Sequence, residues 1–188
     1  MMKSLFIAIR ASILLMLVCG LLYPLLTTGI AQVLFPFQAQ GSLVEDNGKV
    51  EGSVLLAQDF TSPKLFHPRA SAAKYDPTAS AATNAAVASP DYVKGIKETV
   101  DAVKKENPAL QDNIPADLVT TSGSGFDPHL SPEAAKAQVP RIAKATGLSE
   151  HVLLSLIDKH TKGRQLGIFG EPRVNVLELN RDLLAQSK

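Results

Sequence analysis

Twenty-five consecutive residues without a charge, Ala11 to Phe35 (ASILLMLVCGLLYPLLTTGIAQVLF), set the first limit on this chain. Thirteen of them are Leu, Ile, Val or Phe. As a helix the stretch is about 37 Å long, against about 30 Å of bilayer hydrocarbon. Its apolar side chains favour insertion by on the order of 6 kcal/mol. The stretch is therefore expected to be one transmembrane helix over 11–35, bent at Pro24. The competing reading is a cleaved signal peptide, whose apolar region normally runs about 7–15 residues. This one is longer, and its small-residue site, Gly29–Ala31, falls late. Bulky Val18 ahead of Cys19 speaks against lipid attachment at that cysteine. Lys3 and Arg10 are the only charges before Glu45. They place residues 1–10 as a short cytoplasmic N-terminus and residues 38–188 outside the cytoplasm.

The remainder is the size of one domain. A formal net charge of +1 gives no basic excess for nucleic acid. The absence of Trp and 5% aromatics leave little with which to stack bases. Cys19, the single cysteine, can form no internal disulfide.

Asn47-Gly48, flanked by short apolar runs, predicts a hairpin with strands near Ser42–Glu45 and Val50–Ala57. The Ala-, Ser-, Thr- and Pro-rich stretch after it, residues 60–90, predicts a surface loop, or a loop of small side chains fitted against a partner. Ser89-Pro90-Asp91 opens a helix with Val93, Ile96, Val100 and Val103 on one face, ending near Asn107. Ser131-Pro132-Glu133 opens a second, running to Gly147 and interrupted at Pro140. Ser149-Glu150 opens a third, with Val152, Leu153, Leu156, Ile157 and His160 inward and Gly163 as its stop. RVNVLELN (Arg173–Asn180) reads both as a strand and as part of a terminal helix. The fold class is α+β: one membrane helix, then a single domain with a small sheet.

VTTSGSGFDPHL (Val119–Leu130) looks most like chemistry. A nucleophile elbow needs Gly-x-Ser-x-Gly, whereas Gly123 and Gly125 flank Ser124 directly. A phosphate-binding loop needs a lysine after its last glycine, and none follows Gly125. What remains is a turn running through Asp127-Pro128 to the Ser131 cap, or a backbone anion nest at Gly123–Gly125. A hydrolase using Ser122 or Ser124 with His129 is the catalytic alternative. His67, His129, His151 and His160 show no metal-ligand spacing. His160, Lys162 and Arg164 are either a small anion site or a solvated helix end. Glu45, Asp46 and Asp59 are either solvated surface or a device that concentrates cations.

Several segments in order resemble the KdpC family, the C subunit of the bacterial Kdp potassium-transporting ATPase. They are GLLYPLLTTGIAQVLFPFQAQGSLV, GSVLLAQDF, LFHPRASAAKYDPTAS, DLVTTSGSGFDPHLSPEAAKAQVPRIAKATGLS and GRQLGIFGEPRVNVLELN. The most specific blocks are DLVTTSGSGFDPHLSP and EPRVNVLELN. The chain departs from the family pattern in one loop. His67-Pro68-Arg69-Ala70-Ser71 stands for His-Gly-Arg-Pro-Ser, Tyr75-Asp76-Pro77 for Tyr-Asn-Pro, and Ala81-Ala82-Thr83-Asn84 for Gly-Gly-Ser-Asn. Lost glycines restrict the backbone, so this loop is expected to take its own shape.

The resemblance implies a non-catalytic accessory subunit in the bacterial inner membrane. Its implied partners are the channel-like, potassium-selecting KdpA, the P-type ATPase subunit KdpB and the small peptide KdpF. It also implies a role in assembly and as a catalytic chaperone that raises the ATP affinity of the hydrolysing subunit. ATP and potassium are then handled by the complex, and this chain holds no cofactor or metal of its own. Residues expected to meet partners are Gly20, Tyr23, Pro24 and Gly29 on the helix. In the domain they are Ser122, Gly123, Ser124, Gly125, Asp127 and His129.

Overall fold

A computed structural model describes residues 2–46, 48–110 and 113–186. The chain divides into two compact units, Met1–Ser53 and Val54–Lys188.

The first unit is led by a helix of 33 residues, Met2–Leu34, long and apolar enough to cross a membrane. It starts nine residues ahead of the expected 11–35 span, because nothing in MKSLFIAIR breaks a helix. It comprises α1 (Met2–Leu17), a π turn (Val18–Leu22) and α2 (Tyr23–Leu34). The π turn has a visible cause. Pro24 lacks an N–H and crowds the turn before it, and the Tyr23 N–H reaches back five residues to the Val18 carbonyl. Thr27 Oγ1 donates to the Tyr23 and Pro24 carbonyls at 2.9 and 3.0 Å. This is how a proline is accommodated without leaving bare backbone in an apolar medium. A short α3 (Pro36–Ala39) and an antiparallel pair follow, β1 (Leu43–Asp46) with β2 (Lys49–Ser53). A bulge sits at Val44/Glu45. Gly48 has the positive φ, +76°, that the hairpin needs, while Asn47 lies outside the described residues. β2 stops at Ser53, short of the expected Ala57. Ala57 belongs to the second unit, where its N–H donates to the Phe126 carbonyl at 2.9 Å.

The second unit is a three-stranded antiparallel sheet against helices. The strand order is β3 (His129–Leu130), β5 (Arg173–Asn175), β4 (Thr161–Lys162). The helices are α4 (Pro90–Glu106), α5 (Pro132–Ala137), α6 (Val139–Thr146), α7 (Glu150–His160) and α8 (Val176–Gln186). A 3-10 turn spans Ala116–Leu118. The long expected helix does split near Pro140, at Gln138, and Gly147 ends it at φ +78°. Ser131 Oγ and Ser149 Oγ accept from the Ala134 and Val152 N–H groups, as N-caps do. α7 stops at His160 rather than Gly163, since Thr161 turns extended to pair with Val174. RVNVLELN holds both of its readings: a strand to Asn175, then a helix.

Phe66, Leu130, Ile142, Leu153, Ile157, Val174, Leu179 and Leu183 form the heart of the core. Phe66 comes from the stretch expected to be surface loop. That expectation holds for the exposed Pro63 and Lys64 but fails at Phe66, where the chain dips into the interior without regular structure, flanked by half-buried Leu65 and His67. Backbone groups need partners there. The Asn180 side chain supplies them for Phe66, accepting its N–H at 2.8 Å and donating to its carbonyl at 2.9 Å. Gln138 does the same for His67, at 2.8 and 3.1 Å. Arg141 Nη1 donates to the carbonyls of Pro63 and Leu65. Two side-chain amides and a guanidinium thus replace the neighbouring strand that this segment lacks.

Candidate functional site

VTTSGSGFDPHL is the seam that ties the irregular segments to the sheet. Ala70 and Thr121 form a parallel bridge, and the Ser122 N–H donates to the Ala70 carbonyl at 3.0 Å. The Ala81 N–H donates to the Ser124 carbonyl at 3.1 Å, and the Val176 N–H to the Pro128 carbonyl at 2.9 Å. Ser71 Oγ donates to the Gly125 carbonyl and accepts the Tyr75 N–H. Gly125 takes φ +84°, and a Cβ there would lie 2.7 Å from the Ala81 carbonyl oxygen and 2.8 Å from the Ala73 Cβ. Only glycine fits.

The hydroxyls are occupied locally. Ser122 Oγ is buried and accepts the Gly125 N–H at 2.9 Å, while Ser124 Oγ accepts the Phe126 N–H at 3.3 Å. Asp127 Oδ1 accepts from the His129 N–H at 3.0 Å and faces His129 Nδ1 at 3.3 Å. Arg69 Nη1 lies 3.5 Å from Asp127 Oδ2. Burial works to raise the Asp127 pKa, but the His129 hydrogen bonds and the Arg69 charge outweigh it and hold the carboxylate below its usual range. Among the described residues, neither serine hydroxyl is hydrogen-bonded to His129, so the geometry of a nucleophile and its base is not assembled. The buried Nε of Arg69 is left without a hydrogen-bond partner.

Two clefts flank this seam. One, of about 300 Å³, has Asp59, His67, Tyr75, Glu106, Asn107 and Gln138 in its wall. There His67 Nδ1 lies 2.9 Å from Glu106 Oε1, and Nε2 lies 2.9 Å from the Ser62 carbonyl. Two acceptors ask for a protonated ring. Burial is the larger influence, and with the Arg141 charge it holds the His67 pKa below the ordinary 6.5. The other cleft, of about 480 Å³, is walled by Arg69, Asp117, Asp127, His129, Glu171 and Arg173. Asp117 is committed there, accepting the Ser131 N–H at 2.7 Å.

On the helix, Gly20 and Gly29 have open space where a Cβ would stand, and Tyr23 is 64% exposed. Gly20, Tyr23 and Pro24 meet at the π turn or beside it, whereas Gly29 lies further along α2. Of the two readings of His160, Lys162 and Arg164, the structure speaks against the anion site. Each has its own carboxylate: Asp182 at 2.9 Å, Glu178 at 3.1 Å and Glu171 at 2.6 Å. Sequence reasoning passed over the clamping residues Gln138, Arg141 and Asn180, and Asn175, whose amide donates to the Val54 carbonyl while its Oδ1 caps α8. One signal was available. Gln138 lies four residues from Ala134 and Ile142, and Asn180 four from Val176, so each is an amide on an apolar stripe.

Fold and site define a class of protein: a small α+β domain, braced by buried amides, carried behind one helix capable of crossing a membrane. Residues 5–185 match the family described as KdpC, K+-transporting ATPase, c chain. A relative from Caldanaerobacter subterraneus subsp. tengcongensis, a potassium-transporting ATPase KdpC subunit, is 49% identical over 181 residues, 96% of this chain and 94% of its own. One from Geobacter sulfurreducens with the same name is 49% identical over 183 residues, 95% of this chain and 96% of its own. One from Bacillus cereus, also so named, is 46% identical over 177 residues, 93% and 92%. The chain belongs to the KdpC family of potassium-transporting ATPase subunits.

Proposed function

We propose that this chain is a non-catalytic accessory subunit of an ATP-driven potassium uptake complex. Its helix anchors it in the inner membrane, N-terminus inside, and residues 38–188 lie outside the cytoplasm. Its partners are the channel-like KdpA, the ATPase subunit KdpB and the peptide KdpF. The observation that carries this reading is the family match over residues 5–185, from the apolar helix into α8. The seam supports it too: its hydroxyls and carboxylate are used to hold the fold together, which leaves them to shape a surface rather than to perform a reaction.

In this reading the chain stabilises the assembled pump and raises its apparent affinity for ATP. ATP is cytoplasmic, so the effect must pass through the helix or through partners. It requires only that the chain bind two conformations of the pump unequally. The test is a mild-detergent pull-down of the tagged chain from cells expressing all the subunits, followed by ATP titration of the recovered complex. Recovery of the ATPase and the channel-like subunit, with a higher KM for ATP in complex stripped of this chain, is the expected result. A Ser124→Ala variant that assembles normally but loses hydrolysis would overturn it.

A further inference from the structure

One turn of the domain, residues 164–171, carries an apolar tip left exposed among the described residues. Leu166, Ile168 and Phe169 are 88%, 73% and 62% exposed. Single exposed apolar residues are ordinary, but three within four positions are not. The tip is held in shape. Gln165 and Phe169 exchange both backbone hydrogen bonds, at 2.8 and 2.9 Å. Arg164 Nη2 grips both Glu171 oxygens across the neck, at 2.7 and 2.6 Å. Leu166 sits at φ +53°, a left-handed conformation that a leucine adopts only at a cost. A tip fixed in advance gives up less freedom when it binds.

The charges around it select the occupant. Lys159, Lys162 and Arg164 are each paired with a carboxylate. Arg173 has no side-chain partner among the described residues. Its Nη1 lies 4.0 Å from where a Cβ of Gly170 would stand, at the root of the tip and in the wall of the larger cleft. A neutralised rim gives anionic lipid little to hold, and the tip lacks the Trp and Tyr that favour a membrane interface. A rigid apolar anchor beside an unpaired arginine is instead the make-up of a protein-binding hot spot.

We propose that the 164–171 turn docks as a knob into a neighbouring protein subunit of the complex, in an apolar socket whose rim offers a carboxylate to Arg173. The proposal rests on the accessory-subunit reading above. Its test uses the full-length chain co-expressed with the other subunits. A photo-crosslinking amino acid replaces Ile168, and the double variant Leu166→Asp/Phe169→Asp and the single variant Arg173→Gln are compared with the native chain by pull-down. The expected results are a crosslink to a pump subunit and at least about a tenfold loss of recovered partners in the double variant. Arg173→Gln gives a smaller loss, which Arg173→Lys partly restores, and the melting temperatures of the variants stay unchanged. Crosslinking only to lipid or to a second copy of the chain would overturn the proposal, as would full recovery of partners by the double variant. The crosslink stands even if the aspartates disturb folding. If the native chain brings no subunit with it, the accessory reading fails and this falls with it. If the native chain and the double variant recover partners equally, this proposal alone fails.

Discussion

Gly125 and Gly123 stand two residues apart and should respond oppositely to the same change. At Gly125 a methyl group would meet a carbonyl oxygen at 2.7 Å on a backbone already at φ +84°. Gly125→Ala is expected to cost about 3 kcal/mol or more, from strain and clash together. Gly123 has open space and no positive φ, so Gly123→Ala should stay within about 0.5 kcal/mol. Denaturant midpoints of the full-length chain in detergent would separate the two, and equal midpoints would refute the steric account. Asn180 poses the complementary case. Asn180→Leu keeps the volume but strands the Phe66 N–H and carbonyl in the core, at about 1–3 kcal/mol for each group. A loss under about 1 kcal/mol would mean that water or another donor replaces the amide.

Among the elements, α4 and α6 share a helical period but not a fate. The apolar face of α4 is only half covered, and none of its residues is buried. Ile142 of α6 is fully buried. Ile142→Ala is therefore expected to cost about 2–5 kcal/mol, and Ile96→Ala less than about 1 kcal/mol, in the same unfolding assay. The contrast shows what could be read from the sequence. Helix starts were legible at Ser131 and Ser149 because side-chain capping is local chemistry, and at Ser89 because Pro90 and Asp91 suit a first turn, although Ser89 itself makes no side-chain cap. The stop of α7 was not, because Thr161 leaves the helix to meet Val174, and a strand partner is not a local property. Phe66 and His67 were misread for the same reason: the Pro, Ser and Lys around them describe a loop, while the amides that draw them inward lie 114 and 71 residues away. Within the candidate site, the sequence favoured a turn for SGSGFDPH over an anion nest or a hydrolase. It could not show which backbone groups that turn binds.

For the whole molecule, the consequence to measure is pH dependence. The His67 pKa is lowered on folding, so between that value and 6.5 the unfolded chain binds more protons than the folded one. Its share of stability is complete above 6.5 and is lost as pH falls through the folded value. Unfolding of the full chain at stepped pH should show a decline beginning below about 6.5, which His67→Gln would flatten. A His67 ring titrating above 6.5 by NMR would reverse the sign. The Asn180 clamp has a different consequence, in time. It joins residues 114 apart, so Phe66 has left the site of synthesis long before its partner exists. At roughly 5–20 residues per second, the wait is about 6–23 s. During it the Phe66 segment has its ring and backbone uncovered, and a ribosome stalled short of Asn180 would leave it open to chaperones and proteases. α8 is thus the helix that closes the domain, made after every other helix among the described residues.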